Sequence, residues 1–81
     1  MDRKEVIAEL TGIFRKTFQD ETISIDEKTT RSDIGDWDSL NHAQLIYAIE
    51  LRFDIKFSLK EMINFSDVGR ICEAIESKFK K

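Results

Sequence analysis

The chain has 81 residues and a mass of 9.5 kDa, room for one domain spanning 1–81, and roughly 60% of its unfolded surface can be hidden on folding. That allows one thin core without a deep catalytic cleft, and 41% hydrophobic against 36% charged residues places it in the folded class. Net charge is −3, and residues 20–38 hold Asp20, Glu21, Asp26, Glu27, Asp33, Asp36 and Asp38 against only Lys28 and Arg31, the opposite sign from a nucleic-acid binder.

Asp2 is placed to cap a first helix, with Glu5 three residues on to complete the reciprocal arrangement. Val6, Ile7, Leu10, Ile13, Phe14, Thr17 and Phe18 follow at helical spacing, so this helix carries one mainly apolar stripe and ends near Phe18. Residues 19–38 keep no sustained period. Thr22 to Ile25 alternates as a strand would, but a long loop tacked down by Ile23, Ile25 and Ile34 is the preferred reading, and a loop of that length in so small a domain is usually functional.

A second helix is expected from Asp38 or Ser39 to about Phe53. His42, Leu45, Ile46, Ile49 and Phe53 share its inward stripe, while Leu40, Ala43, Tyr47 and Leu51 fall on the far side. A second apolar face on one helix is either further packing or a surface for another protein. Residues 54–57 alternate as a short extended connection. Ser58 and Glu61 then frame a brief third helix with Leu59, Met62 and Ile63 expected to be buried. Ser66, with Asp67 in the first turn, is expected to start a fourth helix whose stripe is Val68, Ile71, Cys72, Ile75 and Phe79, and Lys78, Lys80 and Lys81 suit its C-terminal end.

Catalytic constellations are scarce. One His and one Cys exclude a two-histidine metal site, a Cys-His cluster and an internal disulfide. Ser39 lacks the flanking glycines of a nucleophile elbow. His42 lies one helical turn from it, so a serine–histidine pair is a sharp reading; the plainer one puts His42 at the end of the inward stripe. Asp33, Asp36, Asp38 and Asn41 do not follow calcium-loop spacing and read as a solvated acidic loop that caps a helix, leaving no metal site. Cys72 reads as a small buried hydrophobe, and Trp37 as a packing residue before a partner anchor. The first five residues lack the apolar segment of a signal peptide and no apolar run reaches membrane-span length, so a cytoplasmic chain without a membrane span is expected.

The element Gly35-Asp36-Trp37-Asp38-Ser39-Leu40 puts a hydroxyl at the start of a long helix behind an acidic loop. With Leu45, Ile46, Ile49, Glu50 and Phe53 after it and Phe53-Asp54-Ile55 leading to a short helix, the sequence resembles the acyl carrier protein family, including the related peptidyl carriers, over nearly the whole chain. The resemblance implies an all-α fold: a small four-helix bundle with a long loop between helices 1 and 2 and a short third helix. It implies a carrier and not an enzyme, with 4′-phosphopantetheine taken from coenzyme A and held on Ser39. The partners it implies are a phosphopantetheinyl transferase and enzymes that load and remove acyl groups. Asp38 and Leu40 match family positions that contact those partners, and Ala43, Gln44, Tyr47, Glu50 and Leu51 complete the implied docking face.

Asn41, Gln44, Leu51 and Arg52 stand where housekeeping fatty-acid carriers commonly have carboxylates, which points to a specialised carrier, expected as a monomer. A stand-alone peptidyl or aminoacyl carrier and an unmodified helical interaction module are the competing readings. Whether Phe14, Phe18, Leu45, Ile46, Ile49, Phe53, Ile63, Ile71 and Ile75 part to admit an acyl chain or fill that space is left open by the sequence.

Overall fold

The computed structural model describes residues 2–79, Phe79 through its backbone alone. The roles expected of the Phe79 side chain, Lys80 and Lys81 fall outside the described residues. Among the described residues four helices form in the expected order: α1 (Arg3–Thr17), α2 (Ser39–Phe53), α3 (Leu59–Ile63) and α4 (Val68–Phe79), with a 3-10 turn at Arg31–Asp33 in the long loop. Among the described residues there is no strand, only an isolated bridge between Thr30 and Asp67, so the loop reading of Thr22 to Ile25 holds.

The apolar stripes do what their spacing requires. Val6, Leu10, Phe14 and Phe18 of the first helical segment meet Leu45, Ile46, Ile49 and Phe53 of α2 and Val68, Ile71, Cys72 and Ile75 of α4 in one core, and no polar side chain is buried among the described residues. The Glu5 amide donates to the Asp2 carboxylate at 2.9 Å, so the Asp2 half of the reciprocal cap is present. At the other end of the core, α2 stops on Asp54, which takes a left-handed conformation with φ 55°, and the Ile55 amide returns to the Glu50 carbonyl at 3.1 Å. That bond satisfies one of the carbonyls that a helix end leaves without an internal partner.

Two expectations fail at α3 and α4. Ser58 and Glu61 do form the reciprocal cap, but Leu59 and Ile63 are 70% and 72% exposed and only Met62 packs partly against the core. Phe57 and Phe65, which bracket the helix, are buried with their rings edge to face at 5.0 Å. They occupy the space that a five-residue helix cannot reach with more than one of its faces. At α4 the cap is Asp67, not Ser66: the Arg70 amide donates to Asp67 Oδ1 at 2.8 Å, while the Ser66 carbonyl is taken by the Arg31 amide.

The long loop is fastened at several points. The Asp20 carboxylate accepts from the Thr22 hydroxyl and amide, and those bonds hold its carboxyl below the usual aspartate range. Further on, the Val68 amide donates to the Thr29 carbonyl and the Gly69 amide to the Glu27 carbonyl, both at 2.9 Å. Gly69 is required by this closeness, because a Cβ there would stand 2.8 Å from the Glu27 carbonyl oxygen. Across the bundle, Arg3 holds Glu76 through two nitrogens and Glu27 through a third, so α1, α4 and the loop share one guanidinium.

Candidate functional site

The loop delivers its last residues to the start of α2 by a chain of short-range bonds. The Trp37 amide donates to the Ile34 carbonyl at 3.0 Å and the Asp38 amide to the Asp36 carbonyl at 2.9 Å. The Asn41 side chain donates to that same Asp36 carbonyl at 2.7 Å. Asp38 is the cap of α2, its carboxylate accepting from the Asn41 amide at 2.9 Å. Ser39 is the first helical residue and is exposed, and its hydroxyl has no hydrogen-bond partner among the described residues.

The backbone amides of Ser39 and Leu40 are likewise without an acceptor among the described residues, the Asn41 and His42 amides being taken by Asp38. An accessible hydroxyl therefore sits beside two unused donors at the positive end of a 15-residue helix. Such an end favours an attached anion.

The serine–histidine pair is not assembled. The Trp37 indole N–H donates to His42 Nδ1 at 2.8 Å, and His42 Nε2 lies 3.0 Å from the Met62 carbonyl oxygen. An indole can only donate, so Nδ1 accepts and the proton of the neutral ring resides on Nε2, pointing at Met62. Both nitrogens are spent on structure, and neither is available to take a proton from Ser39. Nothing in the sequence near position 42 announced the Met62 bond, since its acceptor is a main-chain carbonyl 20 residues away.

The remaining candidates resolve as follows. Asp33 accepts from the Thr30 amide at 2.9 Å and Asp38 from the Asn41 amide, and no cluster of three or more metal-ligating side chains occurs among the described residues. Trp37 is 3% exposed, its ring edge-on to Phe14 at 5.1 Å and tilted on Phe18 at 6.4 Å; it is a packing residue. Cys72 is fully buried, and burial pushes its thiol up to about 11, far from the thiolate a nucleophile needs.

Leu40, Tyr47 and Leu51 are largely exposed along the outward face of α2, with Ala43 and Gln44 exposed among them. Leu59 and Ile63 of α3 add two exposed apolar side chains that the sequence reading had placed inside. Glu50 is not a free surface charge, because its Oε2 accepts from the Phe57 amide at 2.8 Å. Arg52 is paired with Glu9 at 2.7 Å. An open groove of about 660 Å³ runs between α1 and α2 past Gly12, Ile13 and Ala48, not at Ser39.

The family model described as "Phosphopantetheine attachment site" matches residues 4–75. Among solved structures, the solution NMR structure of a holo acyl carrier protein from Geobacter metallireducens superimposes with a TM-score of 0.83 at 38% identity, the match covering 89% of this chain and 83% of that one. No curated protein matches the chain in sequence.

Proposed function

The chain belongs to the family defined by a phosphopantetheine attachment site, and from that membership we propose that Ser39 is the attachment residue of a specialised acyl carrier. The family is one of carriers and not of enzymes: its members hold 4′-phosphopantetheine covalently and are served by phosphopantetheinyl transferases and by enzymes that handle acyl groups. The similar Geobacter chain is a holo acyl carrier protein. One observation carries the choice of residue: an exposed, unpartnered hydroxyl at the first position of α2, next to the unused amides of Ser39 and Leu40.

Those surroundings fit the group. A phosphodiester on Ser39 Oγ needs an outward hydroxyl and nearby donors, and both are present; the bound arm supplies a terminal thiol that holds an acyl group as a thioester. The chain's own contribution is presentation. Asp38 fixes the helix start, Trp37 anchors the loop behind it, and Leu40, Ala43, Gln44, Tyr47 and Leu51 offer an uncharged docking stripe. Holding cargo on a tether replaces diffusion from bulk by a high local concentration at each docked enzyme, which explains how a domain without a cleft at Ser39 takes part in chemistry.

The specialised role, in lipid or secondary-metabolite synthesis, is read from the outward face of α2. Its single carboxylate, Glu50, is engaged with the Phe57 amide, so docking depends mainly on apolar contact. The closed core supports a monomer, and no helix among the described residues is long and apolar enough to cross a membrane.

The test is direct. Incubation with coenzyme A and a phosphopantetheinyl transferase raises the intact mass by one phosphopantetheine unit, and Ser39→Ala abolishes the gain. A gain that survives Ser39→Ala, or wild type that takes up nothing, sinks the assignment.

A further inference from the structure

We infer that His42 is a positioning residue for Ser39, a strut through which the end of α3 fixes the loop that presents the attachment hydroxyl; this rests on Ser39 being the attachment residue. The strut runs from the Trp37 indole to His42 Nδ1 at 2.8 Å and from His42 Nε2 to the Met62 carbonyl at 3.0 Å. One ring thus ties together three segments: the loop two residues ahead of Ser39, the first turn of α2, and the end of α3.

Each end of the strut is held from behind. Trp37 cannot follow a moving histidine, because its ring is packed on Phe14 and Phe18 and its carbonyl accepts from Arg31 at 3.5 Å. Helix α3 turns Leu59 and Ile63 to solvent and only Met62 partly inward, so its apolar anchorage lies mainly in Phe57 and Phe65 at its two ends. Directional bonds hold the helix between them. The Lys78 ammonium donates to Glu61 at 3.0 Å and ties α3 to α4, while His42 ties it to α2.

The Glu61 carboxyl is kept below its ordinary range by the Ser58 amide first and Lys78 second, so that second tie is a charged one. With both ring nitrogens committed, the imidazole has one orientation that satisfies its neighbours. Ser39 is therefore presented in a single arrangement before any partner arrives, and association meets no reordering cost at the loop.

Unfastening the strut lets the loop and α3 sample other arrangements. A partner then meets a smaller competent fraction, and its apparent affinity falls by that fraction. The reaction to measure is loading of the whole chain by a phosphopantetheinyl transferase with coenzyme A, followed as a function of carrier concentration. Amide hydrogen exchange at residues 59–64 is recorded on the same samples, and Trp37 emission on those that keep this single tryptophan.

His42→Phe keeps a flat aromatic ring, slightly larger than the imidazole, and loses both bonds. It is expected to raise KM for the carrier by at least about threefold, each of the two lost hydrogen bonds being worth about three- to tenfold, with kcat changed much less and exchange at 59–64 accelerated. His42→Gln, whose amide both accepts and donates, recovers part of each effect. Trp37→Phe keeps the packing on Phe14 but removes the indole donor; it raises KM while leaving exchange in α3 close to wild type. Wild-type KM in His42→Phe or in Trp37→Phe overturns the inference. Faster exchange without a KM change also overturns it, since His42 is then structural only. Failure of wild-type loading at Ser39 is a separate result: it removes the attachment assignment and is read from mass alone.

Discussion

The Asp38 carboxylate caps the Asn41 amide at 2.9 Å and also leaves a negative charge beside the Ser39 hydroxyl, and substitution separates these two effects. Asn caps a helix about as well as Asp. Asp38→Asn is therefore expected to keep the melting temperature close to wild type, whereas Asp38→Ala costs about 1 kcal/mol, a drop of roughly 4–8 °C in a domain of this size. Both variants lose the charge. If transferases read that charge, both load slowly, and if they read only the helix start, Asp38→Asn loads normally; thermal melts and loading rates on the two variants distinguish these outcomes. At this scale the sequence was informative about caps and uninformative about struts. Asp2, Asp38 and Ser58 bond to amides three residues on, a distance visible in the sequence, whereas His42 bonds to a carbonyl whose proximity only the tertiary fold creates.

Among the elements, α1, α2 and α4 were legible because each is long enough for the 3.6-residue period to repeat, and most residues assigned to their inward stripes fill the core, with Ile7, Ile13, Thr17 and His42 only partly buried. The five residues of α3 complete little more than one turn, so three apolar side chains carry no directional information. Which of them faces in was decided by Phe57 and Phe65 outside the helix. The start of α4 was misplaced by one residue for a related reason: Ser66 and Asp67 are both good caps, and the pairing of loop residues 29–31 with 66–68 decides between them. That pairing predicts a reversal of the usual helix rule at Gly69. Gly to Ala in a helix interior is ordinarily stabilising by up to about 1 kcal/mol. Here the added methyl meets the Glu27 carbonyl at 2.8 Å, so Gly69→Ala is expected to destabilise by about 1–3 kcal/mol. Urea melts of the variant test the sign, and a raised midpoint contradicts the close approach.

Over the whole molecule, charge and apolar surface are divided between two regions. Residues 1–40 carry ten acids and six bases, and residues 41–81 six acids and seven bases. Negative potential thus gathers in the loop that leads to Ser39, while the α2 and α3 faces beyond it are largely uncharged. Exposed charges are screened beyond about 10 Å at 0.1 M salt, so binding to a fatty-acid ketosynthase is expected to be weak with a shallow salt dependence, the apolar stripe contributing most of what affinity there is. A salt titration of that complex checks this, and tight, steeply salt-dependent binding contradicts it. The fold class and the helical stripes of the core were readable from sequence because each rests on local pattern, whereas the proposal of Ser39 rests on the family resemblance. The exposed apolar face of α2 and α3 was only half readable, since Leu59 and Ile63 join it against expectation and Glu50 turns to an internal bond. The burial of Cys72 on the inward face of α4, finally, bears on how faithfully cargo is kept. A thioester passes readily to a second thiolate within reach, and this scaffold's one thiol is sealed away and protonated. An acyl group on the arm therefore meets no accessible thiol of its own carrier on which to become stranded.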